Sequence, residues 1–271
     1  SALNFDGTND YVAVNNPYRT FNKEITVEFW INTPSADMPF GSVMGQGTSN
    51  VDNMTNNVWL MHPNINGTMT FYVNDAGIWR AAQCNIIAGS WHHYAGVASA
   101  TSTKIYVDGA LVFTGAGISN TILNNSSSVI HIGKDVRYNV GKPFDIPRYG
   151  NMSIDEVRIW NRALCQDEIV NNKNCEPNAV LQTGLQEYYR FNQGNVNSNN
   201  AGVTTLTDAS GNSGRDGTLN NFGLTGLTSN WVASGSTNTG TCAAFVAPTA
   251  PITGTTSICI GASTTLANSI A

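Results

Sequence analysis

The stretch Ile154–Trp160 alternates in the manner of a half-buried strand and then runs through Asn161-Arg162-Ala163-Leu164 into a short helical segment. Alternation puts Asp155, Val157 and Ile159 on one face and Glu156, Arg158 and Trp160 on the other. Val157 and Ile159 want a core, so Asp155 is expected at the end of a core-facing row. A bare buried carboxylate is costly, and a metal ion, a basic residue or backbone N–H groups must satisfy it. The same period-two pattern recurs along the chain in short runs broken by turn signals, which restricts the fold to strand-built architectures.

The runs are Ala2–Phe5, Tyr11–Val14, Ile25–Asn32, Val58–Met61, Met69–Val73, Ile78–Cys84, Trp91–Ala98, Lys104–Val107, Ala110–Thr114 and Val129–Gly133. Asn66-Gly67, Asn74-Asp75 and Asp108-Gly109 separate neighbours, and Asp-Gly between two such runs is a strong hairpin signal. In Ile25–Asn32 the residues Ile25, Val27, Phe29 and Ile31 form one apolar face. The only helix-period segment is Gln166–Asn172. Many short strands at even spacing predict an all-β sandwich or barrel.

At 271 residues the chain can bury a core without staples. Charged residues are 11%, far below the usual quarter, while Gly, Asn, Ser and Thr are abundant, as in extracellular β-proteins rich in turns. The net charge of −5 and the absence of any Lys/Arg cluster exclude nucleic acid and anionic membranes as partners. No apolar run reaches the length of a membrane span, so membrane insertion is not expected. Ser1 reads as the start of a mature or excised fragment. The five cysteines, Cys84, Cys165, Cys175, Cys242 and Cys259, include no Cys-x-x-Cys zinc pair. Cys165 and Cys175 flank the helix, whose ends a straight path would hold about 15 Å apart at roughly 1.5 Å per residue. They can pair only if the chain folds back after Asn172.

Three segments carry a family likeness: Ala2–Val12 with Asp6-Gly7-Thr8-Asn9-Asp10, Trp91–Gly109 with His92-His93-Tyr94 and Tyr106-Val107-Asp108-Gly109, and Ile154–Leu164. In this order and spacing they resemble the laminin-G-like, concanavalin A-like jelly-roll domains common in bacterial surface proteins. The resemblance spans about residues 2–175 and implies two packed antiparallel sheets. A later part, Gly184–Gly194 with Leu206–Asn212 and Asp216–Leu219, is similar to the segment that usually opens such a domain. It either completes the same sandwich in circularly permuted order or starts a second copy. No second set of motifs follows, which favours one domain over residues 1–241, with 185–233 completing it. Residues 242–251 read as an Ala/Pro/Thr linker, and 252–271 are similar to the truncated start of an immunoglobulin-like repeat, in which Cys259 has lost its usual partner.

Asp6, Asn9 and Asp10 crowd one Gly turn, and Asp208, Asn212 and Asp216 another. Such oxygen-rich turns suit Ca2+, the cofactor that the resemblance also implies, with Asp155 as a further ligand. The alternative is that these are Asx-turn residues bonding their own backbone. For sugar, the long loop Lys134–Gly150 offers Arg137, Tyr138, Phe144, Arg148 and Tyr149, and Trp59, His62, Tyr72 and Trp79 add aromatic surface if they face outward. Glycoside hydrolysis needs two carboxylates facing one cleft. Asp155 and Glu156 are expected on opposite faces, Glu28 stands alone, and His92 and His93 have no Cys or Ser arrangement beside them, so no enzyme is expected.

The reading is a non-catalytic, calcium-stabilised adhesion module that binds extracellular polysaccharide or surface glycan, the alternative being a spacer without a ligand. Its likeness to modules of large adhesins from gliding, surface-attached Bacteroidetes-type bacteria implies type IX secretion. It also implies an extracellular place on the cell surface, in a large protein attached to the outer membrane, beside other surface proteins.

Overall fold

The computed structural model describes residues 1–38, 42–48, 57–122, 127–137, 148–178, 182–236 and 240–242. Tyr138, Phe144, the proposed linker beyond Cys242 and the segment 252–271 with Cys259 lie outside these described residues.

The strands form two antiparallel sheets, as the alternating runs require. The first contains β1 (Ala2–Asp6), β3 (Ile25–Asn32), β8 (His92–Ala98), β9 (Ser102–Val107), β10 (Ala110–Ala116), β12 (Asn151–Trp160), β13 (Leu185–Tyr189) and β16 (Trp231–Val232). Its order is β10-β9-β8-β3-β12-β1-β16, with β13 also on β12. The second contains β2 (Tyr11–Val14), β4 (Met44–Gly47), β5 (Asn57–Asn64), β6 (Thr68–Asp75), β7 (Ile78–Asn85), β11 (Val129–Ile132), β14 (Thr205–Leu206) and β15 (Gly217–Asn220), in the order β14-β15-β2-β11-β4-β5-β6-β7. This is the jelly-roll sandwich expected from the sequence. The late strands take part in both sheets: β13 pairs with β12, β16 with β1, and β15 with β2.

Between the sheets lies one apolar core. Ile25, Val27, Phe29 and Ile31 enter it from β3, Phe71 and Val73 from β6, and Ile130 and Ile132 from β11. Trp59 also lies in this core, fully buried, donating Nε1–H to Gln46 Oε1 at 2.8 Å. A Cβ on Gly96 would stand 2.3 Å from the Phe71 ring, so only glycine lets the two sheets close there. At the hairpin between β9 and β10, Asp108 and Gly109 have φ of 52° and 86°, the paired left-handed turn that Asp-Gly favours.

β12 departs from simple alternation. Asp155 faces Trp30 and Arg158 faces Glu28, so Glu156 and Val157 together oppose Phe29. Glu156 occupies this bulge with φ of 52°. Parity therefore flips: Met152, Ile154, Val157 and Ile159 enter the core, while Asp155 turns outward. The expectation that Asp155 shares the apolar row of Val157 and Ile159 is thus corrected, as is the opposition of Asp155 and Glu156. The bulge sits where the neighbour of β12 changes from β1, paired through Ile154, to β13, paired from Val157.

Helix α1 (Gln166–Asn172) covers part of the outer face of the first sheet. Ile169 and Leu164 pack there with Trp160, Tyr106, Leu185 and Tyr188 in a second apolar cluster. Glu168 accepts the Cys165 N–H at 3.0 Å and caps the helix start. Cys175 is bonded to Cys242 rather than to Cys165. Cys165 caps the near end of the helix, and the chain beyond the far end meets residues 240–242 in an isolated parallel bridge, Glu176 with Thr241. No helix of the described residues is long and apolar enough to cross a membrane.

Candidate functional site

The neck of the loop that joins β11 to β12 is a short two-stranded stem. Lys134 and Tyr149 pair across it, Asp135 donates its N–H to Arg148 O (2.9 Å), and Gly150 donates to Gly133 O (2.8 Å). Arg137 and Arg148 are brought together here, on a residue that sequence reasoning did not single out. The buried Asp135 carboxylate accepts Arg137 Nε (2.9 Å) and Nη2 (2.7 Å) and Arg148 Nη1 (3.0 Å). Burial alone would raise the Asp135 carboxyl, but the Arg137 guanidinium holds it well below the usual carboxylate range. Desolvation lowers His62 to about 4, helped by Arg137, and lowers His131 to about 4, helped by Lys134. Both imidazoles are therefore neutral at pH 7. Tyr149 leans on Tyr11 at 6.4 Å between ring centroids, and Lys134 Nζ stands 4.5 Å above the Tyr11 ring. Farther along the outer face of the second sheet, Tyr72 and Trp79 meet edge-on at 5.7 Å, both half-buried.

At the foot of the stem a cleft of about 250 Å3 opens between Tyr149 and Asn151 on one side and Asp6, Gly7, Pro34, Ser35, Asp37 and Met38 on the other. Antiparallel register sets Asp6 opposite Asn151. A Cβ on Gly7, whose φ is 78°, would come within 2.9 Å of the Asn151 Cβ, so glycine keeps this wall open. Asp6 Oδ1 accepts the Thr8 N–H at 2.7 Å, and Asp37 is exposed at the rim. Of the predicted site residues, Asp6 and Tyr149 thus share one cleft. Asp37 and Asn151 complete it: strand pairing brings Asn151 to Asp6, and Asp37 comes in from the chain beyond β3.

Apart from Asn9, the other predicted calcium ligands make hydrogen bonds within the protein. Asp10, nearly inaccessible, accepts the Asp6 N–H (3.1 Å) and the Ser229 hydroxyl (3.0 Å), and burial raises it to about 6. Exposed Asn9 only presents its carbonyl to Asn221. Asp155 accepts the Glu156 N–H (2.9 Å) and the hydroxyls of Ser234 and Ser236. Asp208 Oδ1 accepts the N–H groups of Tyr188 and Ser210, both at 2.9 Å. Asn212 donates to Gln186 O (2.9 Å), and Asp216 accepts the Asp208 N–H (2.8 Å). Of these, the Asp208 bond to the Ser210 N–H is of the local Asx type, whereas the bonds to Ser229, Ser234, Ser236, Tyr188 and Gln186 tie distant segments together. Among the described residues no three His, Cys, Asp or Glu side chains gather into one group.

A buried polar network lies between β12 and the segment following α1. Arg158 donates Nη2 to Glu156 Oε2 (2.8 Å) and Cys175 O (2.7 Å), and Nη1 to Asn172 O (2.7 Å). Trp160 Nε1 donates to Glu28 Oε1 (3.0 Å), and His93 Nε2 lies 3.4 Å from Glu28 Oε2. Tyr188 donates its hydroxyl to Glu156. Glu28 therefore does not stand alone, as its sequence context suggested. Burial would raise Glu28, but His93 and Arg158 pull it below the ordinary value. Desolvation depresses His93. Glu28 and Glu156 are 0% and 4% exposed, which seals both from any polysaccharide.

A laminin-G-type family model, described as the concanavalin A-like lectin/glucanases superfamily, matches residues 6–170. Among solved structures, the chain is similar to a candidate carbohydrate-binding protein from Bacteroides ovatus ATCC 8483, with 21% identity and a TM-score of 0.58 over 81% of this chain and 57% of that one. The match thus spans little more than half the length of that relative. It is also similar to the heptameric SAP-like pentraxin of Limulus polyphemus, with 20% identity and a TM-score of 0.48 over 63% of this chain and 80% of the other. Domain 4 of the arabinanase AbnA from Geobacillus stearothermophilus, solved with arabinotriose, matches with 15% identity and a TM-score of 0.44 over 62% of this chain and 74% of the domain. No curated protein matches the chain.

Proposed function

Because the chain belongs to the concanavalin A-like lectin/glucanases superfamily, we propose that it is a non-catalytic carbohydrate-binding module that mediates adhesion at a cell surface. The observation that carries this reading is the cleft of about 250 Å3 at Tyr149. It combines an aromatic face for a sugar ring, the Asn151 amide, the Ser35 hydroxyl and the Asp6 and Asp37 carboxylates, the mix of apolar surface and convergent polar groups that small-ligand sites use. Hydrolysis would need two carboxyl groups flanking the scissile bond, one of them held protonated as the general acid. Of the two carboxylates that line the cleft, Asp6 is held by the Thr8 N–H and Asp37 sits at the exposed rim, and the sealed Glu28 and Glu156 cannot reach a ligand.

A glycan-array screen of the purified protein tests this. A defined set of glycans is expected to bind, Tyr149→Ala should weaken that binding at least about tenfold, a loss of 1.4 kcal/mol, and no reducing sugar should be released. Binding that survives Tyr149→Ala unchanged would move the site elsewhere.

A further inference from the structure

The cleft does not end at Asn151. A second hollow of about 340 Å3 opens beside it on the outer face of the first sheet, lined by Asn4, Asn32, Pro34, Gly89, Asn151, Met152 and Ser153. Pro34 and Asn151 belong to both walls, so the two hollows form one groove. Register explains the floor. Ser153 on β12 stands opposite Asn4 on β1 and Asn32 on β3, which makes a row of three small polar side chains across adjacent strands.

The members of this row differ in what they have left to offer. Asn4 is spent: its Nδ2 donates to Ser153 Oγ (3.0 Å) and its Oδ1 accepts the Ser229 N–H (3.0 Å). Ser153 accepts that bond and keeps its own proton. The Asn32 and Asn151 amides bond to no protein group among the described residues, and each carries both donors and an acceptor. Among the described residues no charged side chain lines this second hollow, and no Lys or Arg lines either hollow. Paired donors and acceptors on a neutral floor match vicinal hydroxyls, while Asp6 and Asp37 at the first hollow oppose an anionic ligand.

We infer that the groove holds an internal run of a neutral polysaccharide, with consecutive sugar units in the two hollows, rather than a single terminal sugar. This rests on the carbohydrate-binding reading and adds the substrate class to it. The test is calorimetric titration with matched gluco-, manno- and xylo-oligosaccharides of one to six units, alongside uronate and sulfated series. Affinity should rise at least about tenfold from one unit to three. Asn32→Ala and Ser153→Ala should remove that gain and leave monosaccharide affinity unchanged, whereas Tyr149→Ala should weaken every length. Length-independent binding, or a length gain untouched by Asn32→Ala, overturns the extended groove and leaves the carbohydrate reading standing. Tighter binding of the uronate or sulfated series overturns the neutral class. Absence of binding at every length and charge overturns the carbohydrate reading itself.

Discussion

Ser234 donates its hydroxyl to the carboxylate of Asp155, a residue 79 positions earlier in the chain. Ser236 adds a second hydroxyl at 2.8 Å, so the segment following β16 is tied to the middle of β12. Asp155 is 2% exposed. Burial raises its carboxyl to about 7, against the opposing pull of the two serines.

A carboxyl raised in the folded state favours folding when protonated. Its contribution is complete below the ordinary carboxylate value, about pH 4, and is lost as pH climbs towards 7. Asp10, raised to about 6, and Glu187, raised to about 7, slope the same way. The stability difference between the native protein and Asp155→Asn isolates the first residue. It should shrink steadily from about pH 4 to pH 7 in urea melts, and a difference independent of pH would show that Asp155 does not titrate there.

Among the described residues, Arg158 is the cation shared by Glu28, at 3.7 Å, and Glu156, at 2.8 Å. Arg158→Met should cost about 3–5 kcal/mol, because it strands two buried carboxylates. Adding Glu28→Gln and Glu156→Gln to that variant should restore part of the loss. Chemical denaturation of the series measures both, and a loss of the surface-pair size, under about 1 kcal/mol, would contradict the buried network.

The Cys175–Cys242 bond closes a loop with a sequence separation of 67 that contains β13, β14, β15 and β16. Cys242→Ser should lower stability by about 2–4 kcal/mol. Limited proteolysis should then clip the chain near residues 236–242 before it reaches β13, because β13, β15 and β16 keep their sheet partners. A stable fragment ending near Cys175 in the native protein would refute one cooperative sandwich.

Asp155 and Asp208 already receive hydrogen bonds from protein donors. Any rise in melting temperature with millimolar calcium should therefore be the same in the native protein, Asp155→Asn and Asp208→Asn. Scanning fluorimetry with calcium and then with chelator measures this. A calcium shift abolished by either substitution would restore the metal role that their residue type suggests.

Local patterns were readable along the chain. The apolar row Ile25, Val27, Phe29 and Ile31 enters the core as its period of two requires. Asp108-Gly109 makes its hairpin because only the two turn residues need left-handed backbone. Helix Gln166–Asn172 and most strand positions follow from the same short-range rules. β4 was not legible, because Gly45 and Gly47 leave Met44–Gly47 without strand-forming side chains. Its glycines are there for the neighbour: a Cβ on Gly45 would meet the Leu60 side chain at 2.5 Å. In the candidate site, the loop and its Tyr149 could be read from length and residue type, but their companions could not. Asp6 meets Asn151, two residues beyond Tyr149, only through strand register, Asp37 comes in from the chain beyond β3, and Arg137 and Arg148 converge on Asp135 only because the stem closes.

Periodicity in the sequence thus determined that the chain makes two-faced strands and where most of them run. Tertiary structure decided which face Asp155 takes, which cysteine Cys175 meets and which residues line the groove. The physical reason is range. Alternation and turn chemistry act between residues a few positions apart, whereas one extra residue at Glu156 reverses every side chain before it and is specified by the change of partner from β1 to β13.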